Sequence, residues 1–166
     1  GGGGGGGGAS WQVFRREDVP AVSAFLLKHR ATLTHRPPTG AKILHPIHDA
    51  KFFLTGAELD ALLAETDGHV APWSFLQHDQ EAVLVPAGCP HQVRNLRSCL
   101  KVALDFVSPE TLPAALAMCE ELRDLPSGHP GRHAESTNVH ARMMMLHAAR
   151  AAVEKLDAHH GSDKKK

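Results

Sequence analysis

The chain has no excess of either charge. Its 166 residues carry 18 basic and 18 acidic side chains. Nothing marks a phosphate-tracking surface, so direct sequence-specific nucleic-acid binding is not expected. Cysteine is scarce: Cys89, Cys99 and Cys119 are odd in number and form no Cys-x-x-Cys pair. That argues against a disulfide scaffold or structural zinc site and fits a reducing compartment. No apolar run approaches the roughly 20 residues a membrane span needs, and no membrane partner is expected. Histidine, by contrast, is plentiful at 13 residues. Most lie in loops or at helix ends, where surface histidine is the plain reading. The composition, 42% apolar and 22% charged, is that of a folded protein, and the length suits one domain or part of one.

Gly1 to Gly8 are consecutive glycines, which have no side chains to bury and lose the most entropy on ordering. Residues 1–10 therefore read as a flexible linker, and the chain as the downstream part of something longer. Trp11 to Phe14 suggest a short strand. Asp18-Val19-Pro20 open a helix, Asp18 as cap and Pro20 in its first turn, with Val22, Phe25 and Leu26 on one apolar face. Thr55 to Glu58 fit a capping box that starts a helix to about Glu65, with Leu59, Leu62 and Leu63 inward and Gly68 as the stop. Strands are predicted at Trp73 to Gln77, Ala82 to Pro86, His91 to Leu96 and Cys99 to Val107. Ser108-Pro109-Glu110 opens a helix to about Leu125. Ser136 caps a last helix to about Leu156, whose Met143 to Met145, Leu146 and Val153 are expected to pack on the sheet. Residues 158–166, ending in Lys164 to Lys166, read as a polar tail. At least four central strands with flanking helices predict a mainly β, α+β arrangement, part of a sandwich or jelly roll.

The chemistry gathers at His91. It follows a Pro-Ala-Gly-Cys-Pro turn and opens a strand, so a rigid loop aims it. Alternation puts His91, Val93 and Asn95 on one face, where Asn95 is placed to orient His91 or a ligand beside it. Spacing alone suits a metal ligand and a structural histidine equally. A mononuclear non-haem iron site needs two histidines and one carboxylate. Its usual form, His-x-Asp/Glu, occurs only at His133-Ala134-Glu135, downstream in a Gly/Pro-rich loop, and about one such match is expected by chance. His45-Pro46-Ile47-His48-Asp49 has a different spacing, and its polar atoms are expected to satisfy backbone groups in a bend. Cys89 is a possible thiolate donor, although such a cysteine is more often a small buried apolar residue.

Five segments carry a resemblance to a known family: WQVFRREDVP (Trp11 to Pro20), HPIHDAKFFLT (His45 to Thr55), PWSFLQ (Pro72 to Gln77), EAVLVPAGCPHQVRNLRSCLKVALDFVSPE (Glu81 to Glu110) and EELRDLP (Glu120 to Pro126). Together they resemble the JmjC lysine demethylases, in the plant and algal branch related to the demethylases of lysine nine in the histone-three tail. The resemblance implies a partial double-stranded β-helix, a jelly-roll variant of the cupin class, spanning residues 11–157 as the C-terminal part of a catalytic domain. It implies Fe(II), with 2-oxoglutarate and O2 as cosubstrates. An N-methyl group would be hydroxylated and the hemiaminal would collapse to formaldehyde and lysine. It also implies a methylated histone tail as partner and a nuclear, chromatin setting. His91 matches the last iron ligand and Asn95 a recurrent position beside the site. The upstream His-x-Asp pair has no match, so the isolated chain is expected to be inactive. The glycines fit a low-complexity insertion seen in such relatives, and Gln80-Glu81 stands where they usually have Gly-Glu or Gly-Asp.

Lys101 completes the implied site. An oxygenase of this kind needs a cation for the far carboxylate of 2-oxoglutarate. Lys101 lies in an apolar run, ten residues after His91, where related oxygenases often keep it. Its alternatives are an Asp105 partner or an edge reaching solvent. A two-residue turn at Arg97-Ser98 would point Lys101 away from His91, and one extra residue or a bulge would bring it to the same face. Two further readings stand beside the demethylase: a non-catalytic JmjC-like chromatin scaffold, and another cupin-type metal protein acting on a small molecule.

Overall fold

The computed structural model describes residues 8–129, 132 and 141–163. The glycines before residue 8, the His133-Ala134-Glu135 triplet, the Ser136 cap and the Lys164 to Lys166 run lie outside the described residues. The chain divides after Leu104 into two compact units, residues 1–104 and 105–166.

The first unit is built on a three-stranded antiparallel sheet in the order β2-β1-β3: β1 Ala9–Val13, β2 Trp73–Gln77 and β3 His91–Asn95. The register sets Trp11 opposite Phe75 and Val93, and Val13 opposite Trp73 and His91. Directly opposed residues share a face. One face therefore carries Trp11, Phe75, His91, Val93 and Asn95, and the other Ser10, Gln12, Gln92 and Arg94. Gly8 extends both ladders, its N–H donating to Gln77 O and its carbonyl accepting from Leu96 N. β1 thus starts at Ala9, two residues inside the stretch read as linker, because strands on both sides take up its backbone groups.

After β1 a 3-10 turn, Arg16–Asp18, leads into α1, Val19–His29. Asp18 makes no side-chain cap bond, against expectation. Its backbone is already helical (φ −82, ψ −8) because the 3-10 turn runs straight into the helix, whereas a capping residue needs an extended backbone. The predicted face of α1, Val22, Phe25 and Leu26, is buried among Phe14, Leu33, Leu54, Leu62 and Val70. α2, Gly56–Glu65, begins with the predicted capping box: Thr55 accepts from Glu58 N and Glu58 accepts from Thr55 N. Leu62 is fully buried, so Leu62→Ala should cost about 2–5 kcal/mol. Gly68 closes the helix at φ +79, its N–H donating to Leu63 O at 2.9 Å.

Two predicted strands are absent among the described residues. Ala82 to Pro86 and Cys99 to Val107 have no ladder partner and form no strand. The first is a continuous apolar run and the second alternates with period two, but a strand exists through pairing. Unpaired, Leu100, Val102 and Leu104 are 96%, 81% and 84% exposed. The described sheet therefore has three strands rather than four or more.

In the second unit Ser108 caps a 3-10 turn, Pro109–Thr111, by accepting from Thr111 N at 3.3 Å. α3, Leu112–Arg123, follows and ends near the predicted point. α4, Ala141–Asp163, runs well beyond Leu156, into the predicted polar tail. Its Met143, Met144, Met145 and Leu146 are exposed rather than packed. Four consecutive apolar residues wrap around a helix instead of forming one stripe, and no single face is left to bury them.

Candidate metal-ligand site at His91

The loop before His91 is held at three points. Cys89 N donates to Pro86 O, Phe14 N donates to Pro90 O, and Gly88 turns at φ +77. A Cβ on Gly88 would lie 2.5 Å from Arg16 Cδ, so any larger residue there would displace the arginine side chain. β3 then starts at His91, next to the end of β1.

The His91 ring has one nitrogen engaged. Nδ1 lies 3.2 Å from Cys89 O. A carbonyl can only accept, so Nδ1 carries the proton, and the Nε2 lone pair has no partner among the described residues. A neutral imidazole oriented through its other nitrogen is the form that binds metals. The ring stacks on Trp11 at 5.7 Å and 22°, and Trp11 stacks on Phe75 at 6.2 Å and 4°. The Trp11 indole N–H donates to Gln77 Oε1 at 2.9 Å. His91 also borders an apolar cavity of about 240 Å³ shared with Val22, Leu26, Ile47 and Phe52.

The other predicted residues fall differently. Lys101 belongs to no strand, so register cannot place it. Its ammonium nevertheless lies 5.8 Å over the Trp11 ring, on the face that carries His91. Asn95 shares the face as alternation predicts. At a rise of about 3.3 Å per residue, however, it is about 13 Å along the strand, beyond hydrogen-bond reach of the ring. Burial pushes the Cys89 thiol up, against the pull of Arg16, in keeping with a half-buried apolar cysteine.

His45 is a structural histidine. Its Nδ1 accepts from Ile47 N at 3.3 Å and His48 N at 3.1 Å. Asp49 accepts from Leu44 N and His45 N. Burial raises the Asp49 carboxyl, but those two bonds and Lys51 outweigh it and hold it below the usual range. The bend spends its polar atoms on backbone, as the proline at position 46 suggests.

Sequence reasoning missed two glutamines. Gln92 replaces a ladder rung: its side-chain carbonyl accepts from Leu54 N at 2.8 Å and its amide donates to Leu54 O at 2.7 Å. Gln77 locks the indole. The only available signal was alternation, which puts Gln92 on the face opposite to His91 and Gln77 on the face of Phe75, and neither glutamine carries a motif.

For iron the described residues are not a sufficient donor set. No three His, Cys, Asp or Glu side chains converge among them, and His91 offers one open, oriented nitrogen.

A family model described as "JmjC domain, hydroxylase" matches residues 5–106, more than half the chain. The chain belongs to the JmjC family. The cupin-like JmjC fold and the α+β arrangement expected above hold, with His91 and its loop inside the matched stretch. Among curated proteins, this JmjC chain is 50% identical over 127 residues to Lysine-specific demethylase JMJ29 of Arabidopsis thaliana, covering 75% of this chain and 14% of that protein. It is 42% identical over 150 residues to Lysine-specific demethylase JMJ26 of the same plant, covering 90% of this chain and 17% of that protein. A third Arabidopsis relative, at 35% over 151 residues, 89% of this chain and 15% of that protein, is named E3 ubiquitin-protein ligase JMJ24. The JmjC chain thus spans about a sixth of the length of these relatives.

Proposed function

We propose that the chain is part of an Fe(II)- and 2-oxoglutarate-dependent histone lysine demethylase, with His91 binding iron through Nε2. The observation that carries this reading is the His91 ring, whose Nδ1–H is held by Cys89 O while Nε2 stays open. The hydroxylase family and the relatives named as lysine demethylases support it. They also support a methylated histone tail as partner and nuclear chromatin as setting. Residues 11–157 would then be the C-terminal part of the catalytic domain.

Iron, when bound, supplies the oxidation of the N-methyl group. The chain's own contribution is to bind and orient. His91 offers a fixed nitrogen. The Lys101 ammonium, on the same face, is suited to the far carboxylate of 2-oxoglutarate through a charge-assisted bond. Asn95 is within reach only of a ligand that extends along the strand. With one suitable nitrogen among its described residues, the 166-residue chain alone is expected not to turn over.

The test is formaldehyde release from a methylated histone-three peptide, with iron and 2-oxoglutarate, by a full-length protein carrying this segment. Release that disappears in His91→Ala supports the assignment, and unchanged release in that variant overturns it. One observation favours a second reading, a non-catalytic chromatin scaffold: a close relative is named as a ubiquitin ligase rather than a demethylase. A full-length protein that binds no iron and releases no formaldehyde would establish that reading instead.

A further inference from the structure

The loop that aims His91, Pro86 to Pro90, has one soft point. Pro86 and Pro90 have a fixed φ, and Cys89, standing before a proline, is confined to extended backbone. Ala87 is held to the ordinary regions by its Cβ. Gly88 alone takes either sign of φ freely, and it sits at +77. Beyond it the loop is anchored, because Pro90 O accepts from Phe14 N at 2.8 Å. Between the soft point and the anchor lies the Cys89 carbonyl, 3.2 Å from His91 Nδ1. A rotation at Gly88 would turn that carbonyl away and leave the ring without its partner.

Arg16 covers the soft point. It opens the 3-10 turn that follows β1, two residues after Phe14. Three of its side-chain atoms crowd the place where a Gly88 Cβ would be: Cδ at 2.5 Å, Nη1 at 2.8 Å and Nε at 2.9 Å. Both the aliphatic stem and the guanidinium thus lie against the bare side of the glycine, and an arginine acts through such packing as well as through its charge. Arg16 is not a member of the buried core, so core packing does not explain its place.

We propose that Arg16 is a positioning residue for His91: its side chain, packed across Gly88, locks the one soft residue of the loop and keeps the Cys89 carbonyl on His91 Nδ1, so that the ring presents Nε2. The consequence for metal binding rests on the reading of His91 as an iron ligand. The geometry does not.

Two measurements test it. The first is the tautomer of each histidine ring in the 166-residue chain, read by long-range nitrogen–proton correlation at alkaline pH. Arg16→Ala should turn His91 from the Nδ1–H form into a mixture of the two tautomers, and Arg16→Lys, which keeps the stem, should recover part of the Nδ1–H form. Gly88→Ala, which displaces the arginine, should act in the same direction. His45 should keep its tautomer in all three variants. A His91 ring that stays protonated at Nδ1 in Arg16→Ala overturns the proposal. So does a change of His91 and His45 together, because Arg16 would then act on the whole fold. The second measurement is iron affinity in a full-length protein carrying the segment. Arg16→Ala should lower it about 10- to 100-fold, as expected for loss of a group that orients a ligand, and Arg16→Lys should recover part of the loss. Unchanged affinity in Arg16→Ala, where His91→Ala abolishes binding, overturns the proposal as well. Failure of the iron reading itself has a separate signature: His91→Ala leaves iron affinity unchanged while the tautomer change in Arg16→Ala persists.

Discussion

His45 and His91 each adjoin a proline, and the backbone takes Nδ1 of both, but with opposite sense. In the bend at His45, Nδ1 accepts from two N–H groups. At the start of β3, His91 Nδ1 donates to a carbonyl. The proline positions explain the contrast. Pro46 follows His45 and turns the chain so that the next amides point back at the ring. Pro90 precedes His91 and, having no N–H of its own, leaves the Cys89 carbonyl turned toward the ring while its own carbonyl binds Phe14 N. The same side chain is thus a scaffold in one place and an oriented donor in the other. Histidine count therefore says little about metal chemistry, and the partner of the second nitrogen says much.

The largest effect expected from this contrast is on metal binding. In a full-length protein carrying the segment, His91→Ala should lower iron affinity and turnover by more than about 100-fold. His45→Ala should leave the iron content of folded protein unchanged. Selective loss of iron in the His45 variant, measured by metal analysis, would reverse the two assignments.

Stability should show the converse. Asp49→Ala strips two backbone N–H groups of their acceptor in the His45 bend. Gln92→Leu strips Leu54 of both its amide partners beside His91. Each should cost about 1–3 kcal/mol in urea unfolding, because buried groups are left unpaired. A neutral Gln92→Leu variant would mean that the Leu54 segment does not depend on β3.

Acid should weaken the scaffold side of the comparison first. Burial raises the Glu58 carboxyl, but hydrogen bonds from Thr34 and Thr55 outweigh it and bring it down from 4.5 to about 2. A depressed folded value means that the stabilisation is complete above pH 4.5 and is lost as pH falls toward 2. Asp49 acts in the same direction. Thermal melts should fall through that window, and Glu58→Gln should flatten the dependence. An unchanged slope in that variant contradicts the assignment. The smallest effect concerns the loop: half-buried Cys89, its thiol raised by burial, should alkylate more slowly than exposed Cys99, as read by peptide mass spectrometry.

Much of this was legible from local pattern. The capping box at Thr55, the buried face of α1, the strand at His91 and the backbone role of the His45 bend depend on near neighbours. Alternation correctly put Asn95 on the His91 face, although four residues of strand separate them. Pairing was not legible. Cys99 to Val107 has the period of a strand, and whether it becomes one depends on a partner that local sequence does not reveal. For the same reason register could not locate Lys101, whose position comes from a ring 90 residues earlier in the chain. Gln92 and Gln77 act through side-chain amides across the fold, and no periodicity marks such a role.

The central claim is that His91 presents Nε2 while His45 does not present Nδ1. Long-range nitrogen–proton correlation spectra of the 166-residue chain at alkaline pH read the tautomer of each ring directly. The account predicts His91 protonated at Nδ1 and His45 protonated at Nε2. A His91 ring protonated at Nε2 would contradict it.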